Sequence, residues 1–166
     1  MSRPAPTAAA AALILVAGLA LSGCSILNNF TGGVTRDDDG NVTEGNDNAD
    51  VFAIRVGDCV NNADLGEEVS SIPVVPCSEP HDSEAFFSHL MTDESYPGTA
   101  SVQTSADEVC IGGFAGYVGG DYNSSALYVT YFYPTEASWA QGDREILCLV
   151  YDPDGPLTGS VKGSGR

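Results

Sequence analysis

The chain has 166 residues and a formal net charge of −17 at pH 7, because 23 Asp and Glu side chains outnumber six Lys and Arg side chains. Phosphate binding needs clustered cations, so this composition excludes a nucleic-acid partner. Hydrophobic residues make up 43% of the chain, which is enough for the core of one domain of ordinary size.

The N-terminus carries an apolar run at residues 8–21 that leads into Ser22-Gly23-Cys24. A transmembrane helix needs about 20 apolar residues, so this shorter run favours a signal peptide. The tetrapeptide Leu21-Ser22-Gly23-Cys24 resembles a bacterial lipobox, in which a diacylglyceryl group is attached to the Cys sulfur and the signal is cut just before it. We expect residues 1–23 to be a lipoprotein signal peptide and Cys24 to carry acyl chains such as palmitate. The alternative is an ordinary secretory signal with Cys24 incidental.

Residues 24–50 are rich in Asn, Asp, Gly and Thr, a composition that predicts a flexible acidic tether. All 23 acidic residues but only five basic ones follow Cys24, so residues 24–166 carry a formal charge of −18 and should be repelled by an anionic lipid surface. The run Asp37-Asp38-Asp39-Gly40 could suggest a calcium loop. Placing Gly40 at the sixth position of an EF-hand, however, puts Thr35 first and Asn46 last, and neither suits that loop. A folded domain is expected over residues 51–166.

Besides Cys24 the chain has an even number of cysteines, which in an exported protein predicts disulfides. These four are Cys59, Cys77, Cys110 and Cys148. Three pairings are open, and Cys59 with Cys77 and Cys110 with Cys148 is favoured because it closes the shortest loops. A zinc site is the competing use, but the sequence has no Cys-x-x-Cys and only His81 and His89 could supplement the thiolates. The same missing spacing argues against redox catalysis.

The folded domain is expected to begin with a short apolar stretch at residues 51–56. The β-prone runs at residues 72–75 and 85–89 predict strands, and two prolines interrupt the chain between them. From residue 102 to 117, apolar side chains recur every three or four positions, which predicts an amphipathic helix with Cys110 on its buried face. Ser105 and Glu108 are a candidate capping pair, and Gly119-Gly120 should end the helix.

Residues 127–133 are dense in β-branched and aromatic side chains and predict a strand, which we expect at the centre of the sheet. Thr135 is the expected N-cap of a short helical segment, and residues 146–151 predict another strand with Cys148 facing inward. A last short strand is expected at residues 157–161. Strands outnumber helices without regular βαβ alternation, so the predicted class is α+β, with a small, mainly antiparallel sheet, one main helix and two disulfides.

Two groups of residues are candidates for a site. His81, Asp82 and Glu84 offer an imidazole and two carboxylates within four residues, although a His in this position is expected to bind the backbone of its own loop. Trp139 and Arg144 could bind a sugar or a peptide, whereas the alternative is core packing for the Trp and a carboxylate partner for the Arg. Neither the Gly-x-Ser-x-Gly motif nor the His-Glu-x-x-His motif of hydrolases occurs.

Two motifs carry a resemblance to a known family. Two segments look like those of the septum formation family of actinobacterial envelope proteins. The first runs from Val74 through Pro76-Cys77-Ser78-Glu79-Pro80-His81-Asp82, and the second is Trp139-Ala140-Gln141-Gly142-Asp143-Arg144. The resemblance spans roughly residues 51–163. It implies an extracytoplasmic domain and a link with cell division, and it carries no catalytic residue onto this chain.

These features favour a non-catalytic, lipid-anchored binding or scaffold domain on the outer face of the cytoplasmic membrane. Its expected partner is an envelope protein or a cell-wall component, and we expect no metal and no cofactor. The first alternative is an envelope hydrolase or metal-dependent enzyme that uses His81, Asp82 and Glu84. A weaker alternative is a chaperone or ligand carrier, which would need an apolar cavity.

Overall fold

The computed structural model describes residues 33–61 and 69–166. The expected signal peptide, Cys24 and the first part of the expected tether therefore lie outside the described residues. Within the described ranges, no helix combines the length and the apolar character that crossing a membrane requires.

The described residues form a two-stranded hairpin and a six-stranded sheet, and every strand pair is antiparallel. The hairpin joins β1 (Thr35–Arg36) and β2 (Val42–Glu44). The sheet contains β3 (Asn46–Asp50), β4 (Cys59–Val60), β5 (Ser71–Val75), β6 (Ser83–Leu90), β7 (Tyr128–Phe132) and β8 (Glu145–Tyr151). Its strand order is β3-β5-β4-β6-β8-β7. With the helices α1 (Thr99–Val118) and α2 (Glu136–Trp139), this arrangement confirms the α+β class.

The prediction of a flexible tether is wrong for residues 33–50, because these residues form β1, β2 and β3. Val42 and Ala49 are buried in the core, and the Asn46 side chain donates a hydrogen bond of 2.7 Å to the carbonyl oxygen of Gly33. A few well-placed buried side chains thus order a segment whose composition is polar. The apolar stretch at residues 51–56 begins with a 3₁₀ turn over Val51–Ala53.

Helix α1 confirms the predicted amphipathic helix and its buried Cys110. Side chains at every fourth position face the sheet, namely Val102, Ala106, Cys110, Phe114 and Val118. The helix ends at Gly119, which adopts the left-handed conformation (φ 86°) that lets its N–H bond the carbonyl of Ala115. The expected cap at Ser105 and Glu108 is wrong, because the helix begins earlier, directly after the break at Pro97-Gly98.

Strand β7 lies at the edge of the sheet rather than at its centre. It pairs with β8 from Tyr128 to Phe132 without a register shift, and all its residues stay at least partly exposed. The expected strand at residues 157–161 is reduced to one isolated bridge between Leu157 and His81. The short helix α2 has the expected Thr135 cap, which forms a capping box with Ser138.

Apolar side chains fill both faces of the sheet. One core lies under α1, where Phe86, Phe114 and Ile146 are buried, and the other lies under the hairpin, where Ile72 and Leu149 are buried. Two disulfides form with the predicted pairing: Cys59 of β4 is bonded to Cys77 in the loop after β5, and Cys110 of α1 is bonded to Cys148 of β8. In a chain-entropy account they contribute about 3 and about 4 kcal/mol.

Candidate functional site

The segment that leads into β6 buries two of the three residues predicted as a site. His81 is 1% exposed and Glu84 is fully buried, while Asp82 between them is partly exposed. The backbone fixes this arrangement, because His81 exchanges two hydrogen bonds with Leu157, one in each direction. His81 and Glu84 therefore belong to the interior of the domain.

The Glu84 carboxylate is bound on both oxygens by other parts of the chain. Its Oε1 accepts hydrogen bonds from the hydroxyls of Tyr117 (2.6 Å) and Ser160 (2.5 Å), and its Oε2 accepts one from the Val161 N–H (2.7 Å). Burial and the neighbouring carboxylate raise the pKa of Tyr117 above its ordinary value, so its hydroxyl stays a donor. Glu84 thus ties β6, α1 and the C-terminal segment together.

The His81 ring is held by its own loop. Its Nδ1 lies 2.8 Å from the carbonyl oxygen of Glu79, and a carbonyl can only accept, so Nδ1 carries the proton. Nε2 is buried and has no hydrogen-bond partner among the described residues. This confirms the expectation that the ring binds the backbone of its own loop.

Cys59, His81 and Glu84 are the described residues closest to a metal-binding arrangement, because their ligand atoms lie within 4.8 Å of one another. A structural zinc ion needs four ligands, and its cysteine ligands are thiolates. Cys59 is bonded to Cys77, and the Glu84 oxygens already accept three hydrogen bonds. In this oxidised form the group does not meet the donor requirement of a zinc site.

A cleft of about 400 Å³ opens beside the Glu84 network. The β1–β2 turn, the Cys77 loop and the C-terminal segment line it, with Tyr117 and Ser160 reaching it from the network. Lys162 lies at the cleft with its Nζ 5.8 Å from the centre of the Tyr117 ring. Neither His81 nor Trp139 lines this cleft.

Trp139 and Arg144 form a stacked pair on α2 and the turn that follows it. The Arg144 guanidinium carbon lies 3.8 Å from the centre of the Trp139 ring, and Nη1 donates to the carbonyl oxygens of Trp139 (2.8 Å) and Asp143 (2.6 Å). Trp139 is buried, and the Tyr96 ring packs edge-on against it at 5.6 Å. Core packing of Trp139 is confirmed, whereas the expected carboxylate partner of Arg144 is wrong: a ring face and backbone oxygens take that place.

Residues 56–164 match the family described as septum formation. The chain belongs to the septum formation family. No curated protein and no solved structure matches the chain. The hairpin and β3 precede the matched range, although β3 pairs with β5 inside the same sheet as the septum formation domain.

An ion pair attaches this N-terminal part to the septum formation domain, and the sequence analysis missed it. Arg36 of β1 binds both carboxylate oxygens of Asp58, one of them at 2.6 Å, and the Asp58 carboxylate also accepts the N–H of Arg55 at 2.7 Å. The hydrogen bonds that Arg36 donates to Asp58 raise the pKa of Arg36. Asp58 is buried, so the pair is shielded from water. The sequence feature that could have indicated this ion pair is a single Arg within an otherwise acidic segment.

Proposed function

We propose that the septum formation domain is a lipid-anchored, extracytoplasmic binding or scaffold domain that acts in septum formation without catalysing a reaction. Cys24 carries the anchor on the outer face of the cytoplasmic membrane. The partner is an envelope protein or a cell-wall component. Family membership supports the link with septum formation.

The observation that carries this proposal is the burial and hydrogen bonding of Glu84. A general acid or base must reach the proton that it transfers, so it needs access to the substrate. Glu84 is fully buried and bonded to Tyr117, Ser160 and Val161, so it stabilises the fold instead. This burial weighs against the alternative of a hydrolase that uses His81, Asp82 and Glu84, and it favours a function at the surface.

Two further features support the proposed place of action. Both disulfides are typical of an oxidising compartment outside the cytoplasm. The described residues begin at Gly33, and eight residues of sequence separate Gly33 from Cys24. Such a segment of eight residues, residues 25–32, can reach about 28 Å when fully extended. The anchor would therefore hold the domain close to the membrane.

The proposal is tested by the spacing of septa in a strain that lacks the protein. We expect fewer septa per cell length than in the parent, restored by the wild-type protein and not by Cys24→Ala. Partition of each protein between detergent and aqueous phases checks the anchor, because wild-type protein should enter the detergent phase and Cys24→Ala should not. Normal septa in the deletion strain would contradict the proposal, and so would wild-type protein that stays in the aqueous phase.

A further inference from the structure

Strand β7 leaves one side of its backbone unpaired. Its five residues pair with β8 in continuous register, and no other segment of the described chain forms a backbone hydrogen bond with residues 128–132. In an antiparallel pair, alternate N–H and C=O groups point away from the partner strand. The outer side of β7 therefore presents a row of donors and acceptors that another strand could use.

The two edges of the sheet differ in how they are protected. Charged side chains and irregular pairing are features that discourage strand addition at an edge. Strand β3, at the opposite edge, has both: Asp47 and Asp50, and a register shift in its pairing with β5. Strand β7 has neither, and residues 126–135 contain no charged side chain although the chain as a whole carries a formal net charge of −17.

Aromatic rings stand on both faces of β7 and would meet an added strand. Tyr128 is 51% exposed and packs against Tyr151 at 6.0 Å between ring centres on one face. On the face toward α1, the rings of Tyr131 and Tyr133 pack together at 5.9 Å. The Tyr131 hydroxyl donates to Asp107 of α1, and the Tyr133 hydroxyl accepts from Gln103 of α1, so both rings are fixed in place. Aromatic side chains pair well with β-branched residues on a neighbouring strand.

Charge decides which occupant fits this edge. A second copy of the chain would bring a further formal charge of −17 against the first, with Asp107 beside the strand in each copy. A segment that carries Lys or Arg around a β-branched core meets the opposite charge and supplies the missing backbone partners. The occupant that the edge favours is thus an extended, basic segment of a partner protein.

We propose that the outer edge of β7 binds an extended, β-prone segment with flanking basic residues, which adds a strand to the sheet next to Tyr128. This inference rests on the proposed binding role and names the class of partner. The partner's backbone supplies the hydrogen bonds, and its β-branched side chains pack beside the Tyr128, Tyr131 and Tyr133 rings.

The test uses the processed, acylated protein, residues 24–166, in detergent micelles and a synthetic peptide whose alternating Val and Thr core has Lys residues at both ends. We expect binding that slows amide hydrogen exchange in residues 128–132, and a loss of about tenfold or more in affinity for a peptide of the same charge with alternate core amides N-methylated. Tyr128→Lys should weaken binding similarly, because an edge Lys repels the peptide and blocks strand addition. Phe52→Lys, which adds the same charge at an exposed position of the 3₁₀ turn, should bind as wild type.

Three outcomes would overturn the inference. Equal affinity for the N-methylated peptide would show attraction by charge alone. Self-association that protects residues 128–132 without peptide would assign the edge to a second copy. Tyr128→Lys can also be tested in a strain where loss of the protein removes septa. If this variant gives normal septa there, the proposed function stands and the role of this edge is contradicted.

Discussion

The Glu84 carboxylate has a structural role in the fold. Three hydrogen bonds from Tyr117, Ser160 and Val161 compensate for its removal from water, and these donors come from chain segments distant in sequence. Charge-assisted bonds of this kind are stronger than neutral ones, and a buried group that loses its partners costs free energy. Glu84 therefore determines how the C-terminal segment docks onto the sheet.

Replacing Glu84 with Gln should lower the free energy of unfolding by about 2 kcal/mol, because the amide lacks the charge and turns an NH₂ group toward donors. Urea denaturation followed by tryptophan fluorescence measures the change. Glu94→Gln removes the same charge from an exposed loop position and should leave stability within about 0.5 kcal/mol of wild type. Equal stability of Glu84→Gln and wild type would contradict the structural role of Glu84.

The Tyr117 hydroxyl makes the stability dependent on pH in the alkaline range. Burial and the bond to Glu84 raise its pKa above the unfolded value of about 10. The folded state then keeps a proton that the unfolded state releases, so the stabilisation is fully present below about pH 10 and is lost as the pH rises further. Tyr131, whose pKa burial and the bond to Asp107 raise to about 12, adds to the same trend.

We expect the free energy of unfolding to fall between about pH 10 and 11 and to fall less steeply in Tyr117→Phe. Urea titrations at a series of pH values measure both slopes. A Tyr117→Phe protein whose stability declines as steeply as that of wild type would show that this hydroxyl does not titrate differently in the folded state.

At the scale of the element, helix α1 packs against β6 most closely at Gly113. A Cβ built at Gly113 would lie 2.6 Å from a ring carbon of Phe87, whereas one at Gly116, a turn further along the same helix, would meet nothing within 4 Å. The same substitution should therefore have opposite effects at the two positions.

Gly113→Ala should destabilise the protein by about 1–3 kcal/mol, because the partly buried Phe87 must move. Gly116→Ala should stabilise it by about 0.5–1 kcal/mol, since Ala is the better helix former. Thermal unfolding of the two variants beside wild type makes the comparison. Equal shifts in Tm for both variants would contradict the close approach of α1 to Phe87.

Elements that depend on local pattern could be predicted from the sequence. Helix α1, the Thr135 cap and strand β8 follow from apolar spacing or capping chemistry within a few residues. Strands β1 to β3 could not be predicted in this way. This segment is held in its folded conformation by distant partners such as Asp58 rather than by its own composition. The edge position of β7 was missed for a related reason: β-propensity predicts a strand and does not specify its neighbours.

The same difference between local patterns and distant contacts applies to the candidate site. The sequence correctly predicted the backbone hydrogen bond of the His81 ring, the core packing of Trp139 and both disulfide pairs. It could not reveal that Glu84 binds Tyr117 and Ser160, which are 33 and 76 residues away in the chain. In the sequence Glu84 resembles part of a catalytic cluster, whereas in the fold it belongs to a structural hydrogen-bond network.

At the scale of the whole molecule, disulfides, charge and anchor act together. Two disulfides and two cores give a rigid domain, the formal charge of −18 after Cys24 discourages contact with anionic lipid, and the expected anchor keeps the domain near the membrane. Under the proposed function, activity depends on what the surface binds rather than on a reaction inside the fold.

The most direct test of this account is the rescue of septa by His81→Phe in the strain that lacks the protein. Phe keeps a buried ring at this position and removes both ring nitrogens, and His81→Gln provides a second variant. Near-ultraviolet circular dichroism and detergent partition confirm that each protein is folded and anchored. We predict wild-type spacing of septa with both variants. Failure of both folded, anchored variants to restore septa would contradict a binding role and would favour chemistry at His81.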